Sequence, residues 1–276
     1  MNPLEILQRT PKTNCGECGH ATCLAFAAAV TRAGEEVTLC PYINLAGLEL
    51  ESPIGKKNME ELADQVSKEQ DLALVKYLQS KISSFDFGAI AESLGAGWTA
   101  AQPDFLVFRY LGREVHLGKS GLLMDNDAVV DPRDQILLYN YIHSGGGRKP
   151  DGNWVGMESL PNSISKVKTL ATYCEDKIAK NFVGKSFNTL MEIGQQLDGA
   201  PGPKDLSATS SIAFVIPVLP MVPQFLLFWD EEPDDGFDAK AKVLFDNHVL
   251  DFLDIESLLF SAERLAERIV YLLERQ

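Results

Sequence analysis

"PKTNCGECGHATCLAFAAAVTRAGEEVTLCPY", residues 11–42, holds four of the five cysteines in the chain, and its reading decides how the first part folds. Cys15, Cys18, Cys23 and Cys40 follow the spacing C-x2-C-x4-C-x16-C, and Pro41 comes directly after the last. Gly16 and Gly19 each follow a cysteine, and without a Cβ both tolerate the left-handed backbone of a tight loop. Such a loop can wrap around one inorganic core while its N–H groups point at sulfur. After Thr22 the run "CLAFAAAVTRAG" predicts a helix, with apolar Leu24, Phe26, Ala27 and Val30 and a stop at Gly34. Those 12 residues carry the chain about 18 Å from Cys23. The 6 residues from Gly34 to Cys40, extended, return it by about 20 Å. The two lengths match, so Cys40 is expected to complete the site that the first three cysteines begin.

Clustered thiols in a reducing compartment point to a metal before they point to disulfides. Structural zinc sites usually join two C-x2-C knuckles, or one knuckle with an H-x3-5-H pair. Here there is one knuckle, the third cysteine follows after four residues, and the fourth is single and precedes proline. Cys-Pro at the final ligand is also a feature of bacterial ferredoxin runs. The pattern therefore favours a 4Fe–4S cluster over its rival, zinc. His20 lies inside the loop, but four cysteines already fill the coordination shell, so it is read as a solvent-facing loop residue.

"TPKTNCGECGHATCLAFAAAV…LCPY" resembles the amino-terminal iron–sulfur domain of the corrinoid iron–sulfur protein large subunit, from the CO dehydrogenase/acetyl-CoA synthase system. The resemblance covers about residues 3–45. It implies that Cys15, Cys18, Cys23 and Cys40 are the four ligands of one low-potential 4Fe–4S cluster that transfers single electrons. Family members often have proline where Ala21 stands. Glu17, between two of the cysteines, adds negative charge that should help keep the potential low.

At 276 residues the chain is long enough for two domains, and 45% hydrophobic with 23% charged residues is ordinary for a globular protein. The start, "MNPLEILQRT", has no basic region and no uninterrupted apolar core, so no signal peptide is read there. The longest apolar candidate, "IAFVIPVLPMVPQFLLFW" (212–229), is broken by three prolines and is not a membrane span. The expectation is a cytoplasmic protein with no membrane contact. The net charge of −14 is uneven: residues 1–58 carry five Lys/Arg against six Asp/Glu, the remainder 20 against 33. So acidic a body repels phosphate backbones, which excludes nucleic acid as a general partner. It would suit a basic protein partner, although acidity also serves plain solubility.

Residues 50–58, "LESPIGKKN", read as a linker, and 59–82 shows apolar residues Leu62, Val66, Leu72, Val75 and Leu78 at helical spacing. "DFLVFRYLGREVHLG" predicts a β-hairpin around Leu-Gly-Arg. In "DPRDQILLYNYI", Asp131 is an N-cap and Pro132 the first helical residue. "SISKVKTLATYCEDKIAKNF" and "SFNTLMEIGQQL" read as helices, "SSIAFVIPV", "QFLLFWD" and "AKVLFD" as strands, and 254–276 as a closing amphipathic helix. The fold class expected is α+β: a small helical cluster domain over 1–50, a linker over 51–58, and a domain over 59–276 of helices packed on a mostly antiparallel sheet. "DPRDQILLYNYIHSGGG…DGNWVGMESLP" and the segment from "IPVLPMVPQFLLFWD" onward resemble an uncharacterised domain that often follows this cluster module in strict anaerobes. That second resemblance covers roughly residues 65–276 and implies architecture without chemistry.

The body offers weaker candidates. "WDEEPDDGFD" (229–238) has six carboxylates, but its glycine is one residue late for a calcium loop and Ala241 stands at the twelfth position, so a solvated hairpin loop is expected. "SGGGRKPDG" (144–152) lacks the G-x-x-x-x-G-K-[ST] pattern and reads as a mobile loop before a phosphate cradle. His248 follows a strand and is the one candidate axial ligand for a haem or corrinoid, although lone histidines are more often structural. His116 and His143 carry less, Cys174 reads as a packed thiol, and no Ser/His/Asp or Cys/His arrangement emerges, so no catalytic residue is assigned and the sequence leaves open whether the chain is an enzyme. The expected function is a 4Fe–4S redox protein serving anaerobic one-carbon or corrinoid metabolism. Its partner is expected to be a redox protein, with a corrinoid protein the natural candidate. Two alternatives stand beside it: a cluster-fed enzyme or corrinoid/tetrapyrrole-binding protein with its site in the body, and a redox sensor or scaffold.

Overall fold

Four helical residues into the second helix, Phe26 and Ala27 turn inward against Ile6, and that contact organises the start of the chain. The computed structural model describes residues 3–33, 35–45, 56–125, 127 and 130–275. It divides into two compact units, Met1–Gln70 and Asp71–Gln276. In the first, α1 (Pro3–Arg9) packs against α2 (Cys23–Ala28), and the small core holds Ile6, Phe26, Ala27, Val37 and Cys40. Thr22 caps α2, its hydroxyl accepting the Ala25 N–H at 3.0 Å.

The path from Cys23 to Cys40 differs from the helix-and-extended-return expected. The α-helix ends at Ala28 and continues as a π-helical turn, Ala29–Ala33, while Gly34 lies outside the described residues. Thr31 gives a local reason, because its hydroxyl donates to the Ala27 carbonyl at 2.8 Å and competes with the regular ladder. The return contains a 3-10 turn, Val37–Leu39, that drops Val37 into the core instead of running straight. Leu24, expected on the apolar face, is 52% exposed. Of the linker expected at 51–58, residues 51–55 lie outside the described residues and 56–58 open α3 (Lys56–Ile82), which begins in the first unit and ends in the second. Val75, Leu78 and Ile82 are its buried positions in the second unit, whereas Leu72 is exposed.

The second unit is α+β. After the short α4 (Phe87–Ile90), β1 (Phe105–Tyr110), β2 (Arg113–Gly118) and β3 (Gly121–Met124) form an antiparallel sheet in sequence order. The predicted hairpin is β1–β2, with Tyr110 opposite Arg113. Gly112 at its tip has φ +75°, and a Cβ there would fall 1.9 Å from the Gln196 carbonyl oxygen, so only glycine fits. Then come α5 (Pro132–Ser144), the two-residue β4 (Trp154–Val155), α6 (Ile164–Leu170), α7 (Asp176–Phe182), α8 (Phe187–Gln196) and the two-residue β5 (Ala200–Pro201). Three long strands, β6 (Ile212–Leu219), β7 (Val222–Trp229) and β8 (Lys240–Asp246), precede α9 (Ile255–Leu273). The larger sheet is antiparallel with order β4-β8-β7-β6-β5.

Central β7 is buried along nearly its whole length, while β6 alternates, with Ile212, Phe214, Ile216 and Val218 turned inward. Pro217 lies opposite Pro223 near the hairpin end, where the register shifts, which is where a sheet tolerates missing donors. The segment read as one helix over "SISKVKTLATYCEDKIAKNF" is α6 and α7 joined by a π-helical turn, Ala171–Glu175. In that turn the buried Glu175 carboxylate accepts the Val243 N–H at 3.1 Å, tying helix to sheet. Asp131 caps α5 as read, accepting the Arg133 N–H at 2.9 Å, and Asp254 caps α9.

One buried carboxylate joins three elements. Asp134 of α5 takes both arms of Arg264 of α9, at 2.8 and 2.7 Å, and the Tyr110 hydroxyl of β1 at 2.6 Å. Removing one member strands the others in a dry interior, a loss of about 3–5 kcal/mol in buried pairs. Asp134→Ala is therefore expected to lower urea-unfolding stability by about that much. A joint Asp134→Leu, Arg264→Met variant should recover a large part of it, as replacement of a whole buried pair by apolar groups often does.

Candidate iron–sulfur centre

The loop between α1 and α2 carries Cys15 and Cys18 and leads into Cys23, and its backbone is unusual at four positions. Lys12 (φ 57°), Asn14 (φ 51°), Gly16 (φ 77°) and Gly19 (φ 85°) all adopt left-handed conformation. Space does not explain the two glycines, since a Cβ at Gly16 would meet its nearest atom at 3.9 Å and one at Gly19 would meet nothing. The requirement is conformational. Left-handed residues in such a turn can aim successive N–H groups to one side, the geometry of an anion nest. Lys12 and Asn14 hold that shape without glycine's freedom, and such strain gathers at functional sites.

The nest has an identified target. Hydrogen bonds from the Asn14 N–H first, then from the Thr10 side chain and the Lys12 and Thr13 N–H groups, lower the pKa of the Cys23 thiol, although burial acts against them. Asn14 also closes the loop from its other end, its Oδ1 accepting the Cys23 N–H at 2.9 Å. The backbone is thus built to hold a thiolate at Cys23. Asn14 was not singled out in the sequence; the signal was its place directly before the first cysteine, where asparagine tolerates left-handed backbone.

The four thiols span a gradient of exposure. Cys23 and Cys40 are buried, Cys18 is half-buried against the small core, and Cys15 is exposed. These are the groups available to hold an iron–sulfur cluster, and four thiols with N–H donors aimed at sulfur suit the donor set of such a centre. At the open side, the Tyr42 hydroxyl donates to Glu17 at 2.9 Å, and that bond raises the tyrosine's pKa. His20, expected to face solvent, is instead partly buried, 2.5 Å from a Glu35 carboxylate oxygen and tilted against Phe26.

The second unit places the remaining candidates. His248 has Nδ1 at 3.3 Å from the Lys149 carbonyl, 3.8 Å from Asp246 and 4.0 Å from Asp151. Asp246, fully buried, accepts the N–H groups of Asp151, Gly152 and His248 at 3.0, 2.8 and 3.0 Å, so its charge is spent shaping the loop. The glycine-rich loop read as mobile is held there, and its Arg148 forks onto Asp251 at 2.8 and 2.9 Å, with the Arg148 N–H adding a third bond at 3.0 Å. A phosphate cradle would need that arginine free. His116 pairs with Glu114 at 2.8 Å, and His143 stacks on Phe85. Cys174 is fully buried with its pKa pushed well up by burial, an inert thiol. The acidic segment is the hairpin loop between β7 and β8, closed by a Glu232–Phe237 bridge. Trp154 packs on Phe225. Among the described residues no helix is long and apolar enough to cross a membrane.

Comparison with known proteins matches two separate segments of the chain. Residues 11–42 match the family described as "Putative Fe-S cluster", and residues 86–268 match "Domain of unknown function (DUF3786)". The corrinoid/iron-sulfur protein large subunit of Moorella thermoacetica is 48% identical over 46 residues, 17% of this chain and 10% of that protein. Acetyl-CoA decarbonylase/synthase complex subunit gamma 2 of Methanosarcina thermophila is 50% identical over 40 residues, 14% of this chain and 8% of its own length. The gamma subunit of Archaeoglobus fulgidus is 38% identical over 69 residues, 25% of this chain and 14% of the subunit. The chain thus spans only about a tenth of the length of the curated relatives it matches. No solved structure matches it.

The Arg148–Asp251 fork predicts a pH dependence. Hydrogen bonds from Arg148 hold the Asp251 carboxyl far below the usual carboxylate range. With the folded pKa depressed, the stabilisation is present above about pH 4, the unfolded value, and is lost as pH falls toward the folded one. NMR titration of the Asp251 carboxyl should show a midpoint well under that of free aspartate, rising toward it in Arg148→Gln but staying below, because the backbone N–H bond of residue 148 remains.

Proposed function

The chain belongs to the family described as Domain of unknown function (DUF3786), with an iron–sulfur segment ahead of that domain, and from this pairing we propose that it is an electron-transfer protein. Cys15, Cys18, Cys23 and Cys40 are its ligands to one low-potential 4Fe–4S cluster. The observation that carries the reading is the backbone nest around Cys23, which favours a thiolate where the spacing predicts a ligand. When bound, the cluster supplies single-electron transfer; everything else is done by the chain. Cys23 and Cys40 keep the inner side dry, Asn14 fixes the loop at both ends, and Glu17 keeps negative charge beside the thiols.

The likeness to corrinoid and acetyl-CoA decarbonylase/synthase subunits supports a place in anaerobic one-carbon metabolism, with a redox protein, and foremost a corrinoid protein, as partner. Surface chemistry favours such docking. Leu24, directly after Cys23, is 52% exposed, while Leu39 and Tyr42, flanking Cys40, are 48% and 55% exposed. Large exposed apolar side chains next to the cysteines in the chain suit a transient partner that must come within tunnelling distance. We also infer that residues 1–50 form the cluster domain, 51–58 the linker and 59–276 a body that folds by itself, and that the body does not hold a corrinoid through His248, electrons leaving to a partner protein instead.

Two measurements test this. Anaerobically purified protein should be brown, with about four iron and four sulfide per chain. Cys23→Ala should abolish the colour while the body keeps its cooperative melt; stoichiometric zinc without iron would sink the assignment. A chain cut to residues 59–276 should be soluble and colourless with its own melting transition. Aggregation of that fragment under conditions where the full chain stays in solution would show the division to be misplaced.

A further inference from the structure

A cavity of about 640 Å³ opens between β2–β3, the start of α5 and α9, wholly within the second unit. Its size falls in the range of small-molecule sites. Three arginines line it, beside five carboxylates. Arg264 is committed, since both its arms lie on Asp134 and its third nitrogen lies 2.5 Å from Glu267. The other two are not. The Nε–H groups of Arg113 and Arg268 are buried and meet no acceptor among the described residues. Arg113 reaches Asp134 only at 3.7 Å. Arg268 forms no ion pair among the described residues, and rests on the Tyr271 ring, its guanidinium carbon 5.1 Å from the centroid.

Two guanidinium groups sharing one cavity, each with a buried donor unused, are costly to fold around. Burial and the charge of Arg113 both work against protonated Arg268. Nearby carboxylates relieve this only in part: the charge of Asp125 favours protonated Arg268, but Asp125 takes its hydrogen bond from the Glu114 N–H at 3.1 Å, Asp131 bonds Arg133, and Asp134 bonds Arg264 and Tyr110. What is missing is a planar or tetrahedral oxyanion, the partner whose geometry a guanidinium edge matches.

We propose that this cavity binds a small organic oxyanion, a carboxylate or phosphate ester, with its anionic group on Arg113 and Arg268. The carboxylates of Asp125 and Asp131 on the wall then select ligands that also carry hydroxyl or amino donors, because a bare polyanion would meet their charge. Tyr271 and Val130 supply the apolar contact that such sites combine with a few polar groups. All these residues lie outside the cysteine segment, so binding can be read independently of iron content.

The test is isothermal titration of the full chain at low ionic strength with inorganic phosphate, glycerol 3-phosphate, succinate and malate. At least one probe should bind saturably, one per chain, and the phosphate and carboxylate arms tell which oxyanion the site takes. Arg268→Gln should weaken that binding roughly tenfold to a hundredfold, the worth of a charge-assisted hydrogen bond. Arg268→Lys, which keeps the charge and loses the guanidinium edge, should also weaken it. Arg113→Gln gives a second reading if Arg268→Gln loses its cooperative melt. Failure of all four probes to bind, or equal binding in the folded arginine variants, would overturn the assignment.

Discussion

A single buried carboxylate, that of Asp134, sets the geometry on which the larger unit depends. It receives a hydroxyl from the first sheet and a bidentate guanidinium from the last helix, while its own helix starts two residues earlier at a proline. Elements separated by 130 positions in sequence are thereby fixed to within hydrogen-bond tolerance. Hydrophobic burial supplies most of the driving force for such packing, but it is non-directional. The ionic clamp specifies which face of α9 meets α5, because only one register pairs Arg264 with Asp134. The same clamp takes up both oxygens of Asp134, so the neighbouring Arg113 approaches that carboxylate only to 3.7 Å.

Much of this architecture was legible in the sequence for local reasons. Asp131-Pro132 announced a helix start through cap chemistry, and Leu-Gly-Arg announced a hairpin whose tip turns out to admit nothing larger than glycine. The long strands showed through their apolar runs. Short elements did not: β4 and β5 have two residues each, and what makes them strands is pairing with β8 and β6, distant in sequence. The π-helical turns were missed because they share the composition of the helices they interrupt. At the cysteine segment, spacing and glycine placement pointed to the thiols, whereas the role of Asn14 depends on a backbone conformation that composition does not encode. The arginine cavity was invisible for a further reason. Arg113 and Arg268 are unremarkable in a list of charged residues, and become informative only when neither finds an acceptor.

The two units use charge in opposite ways. Around the cysteines, backbone dipoles do the work that cationic side chains do elsewhere, so negative charge on sulfur is held without drawing on the chain's few basic residues. In the second unit, arginines are buried and carboxylates distributed to meet them. A protein with 25 basic and 39 acidic residues has no surplus of cations to leave idle, which makes the two unsatisfied guanidinium edges the more informative.

The burial of Cys174 has a practical corollary. Every thiol of the second unit is sealed in the packing between helix and sheet, with its proton held firmly. Alkylating or mercurial reagents applied to the folded chain will therefore report on the amino-terminal segment alone. Rapid modification reads the open sulfurs of that segment, Cys15 before Cys18, whereas Cys23 and Cys40 react only as the small core opens and Cys174 only as the large one does.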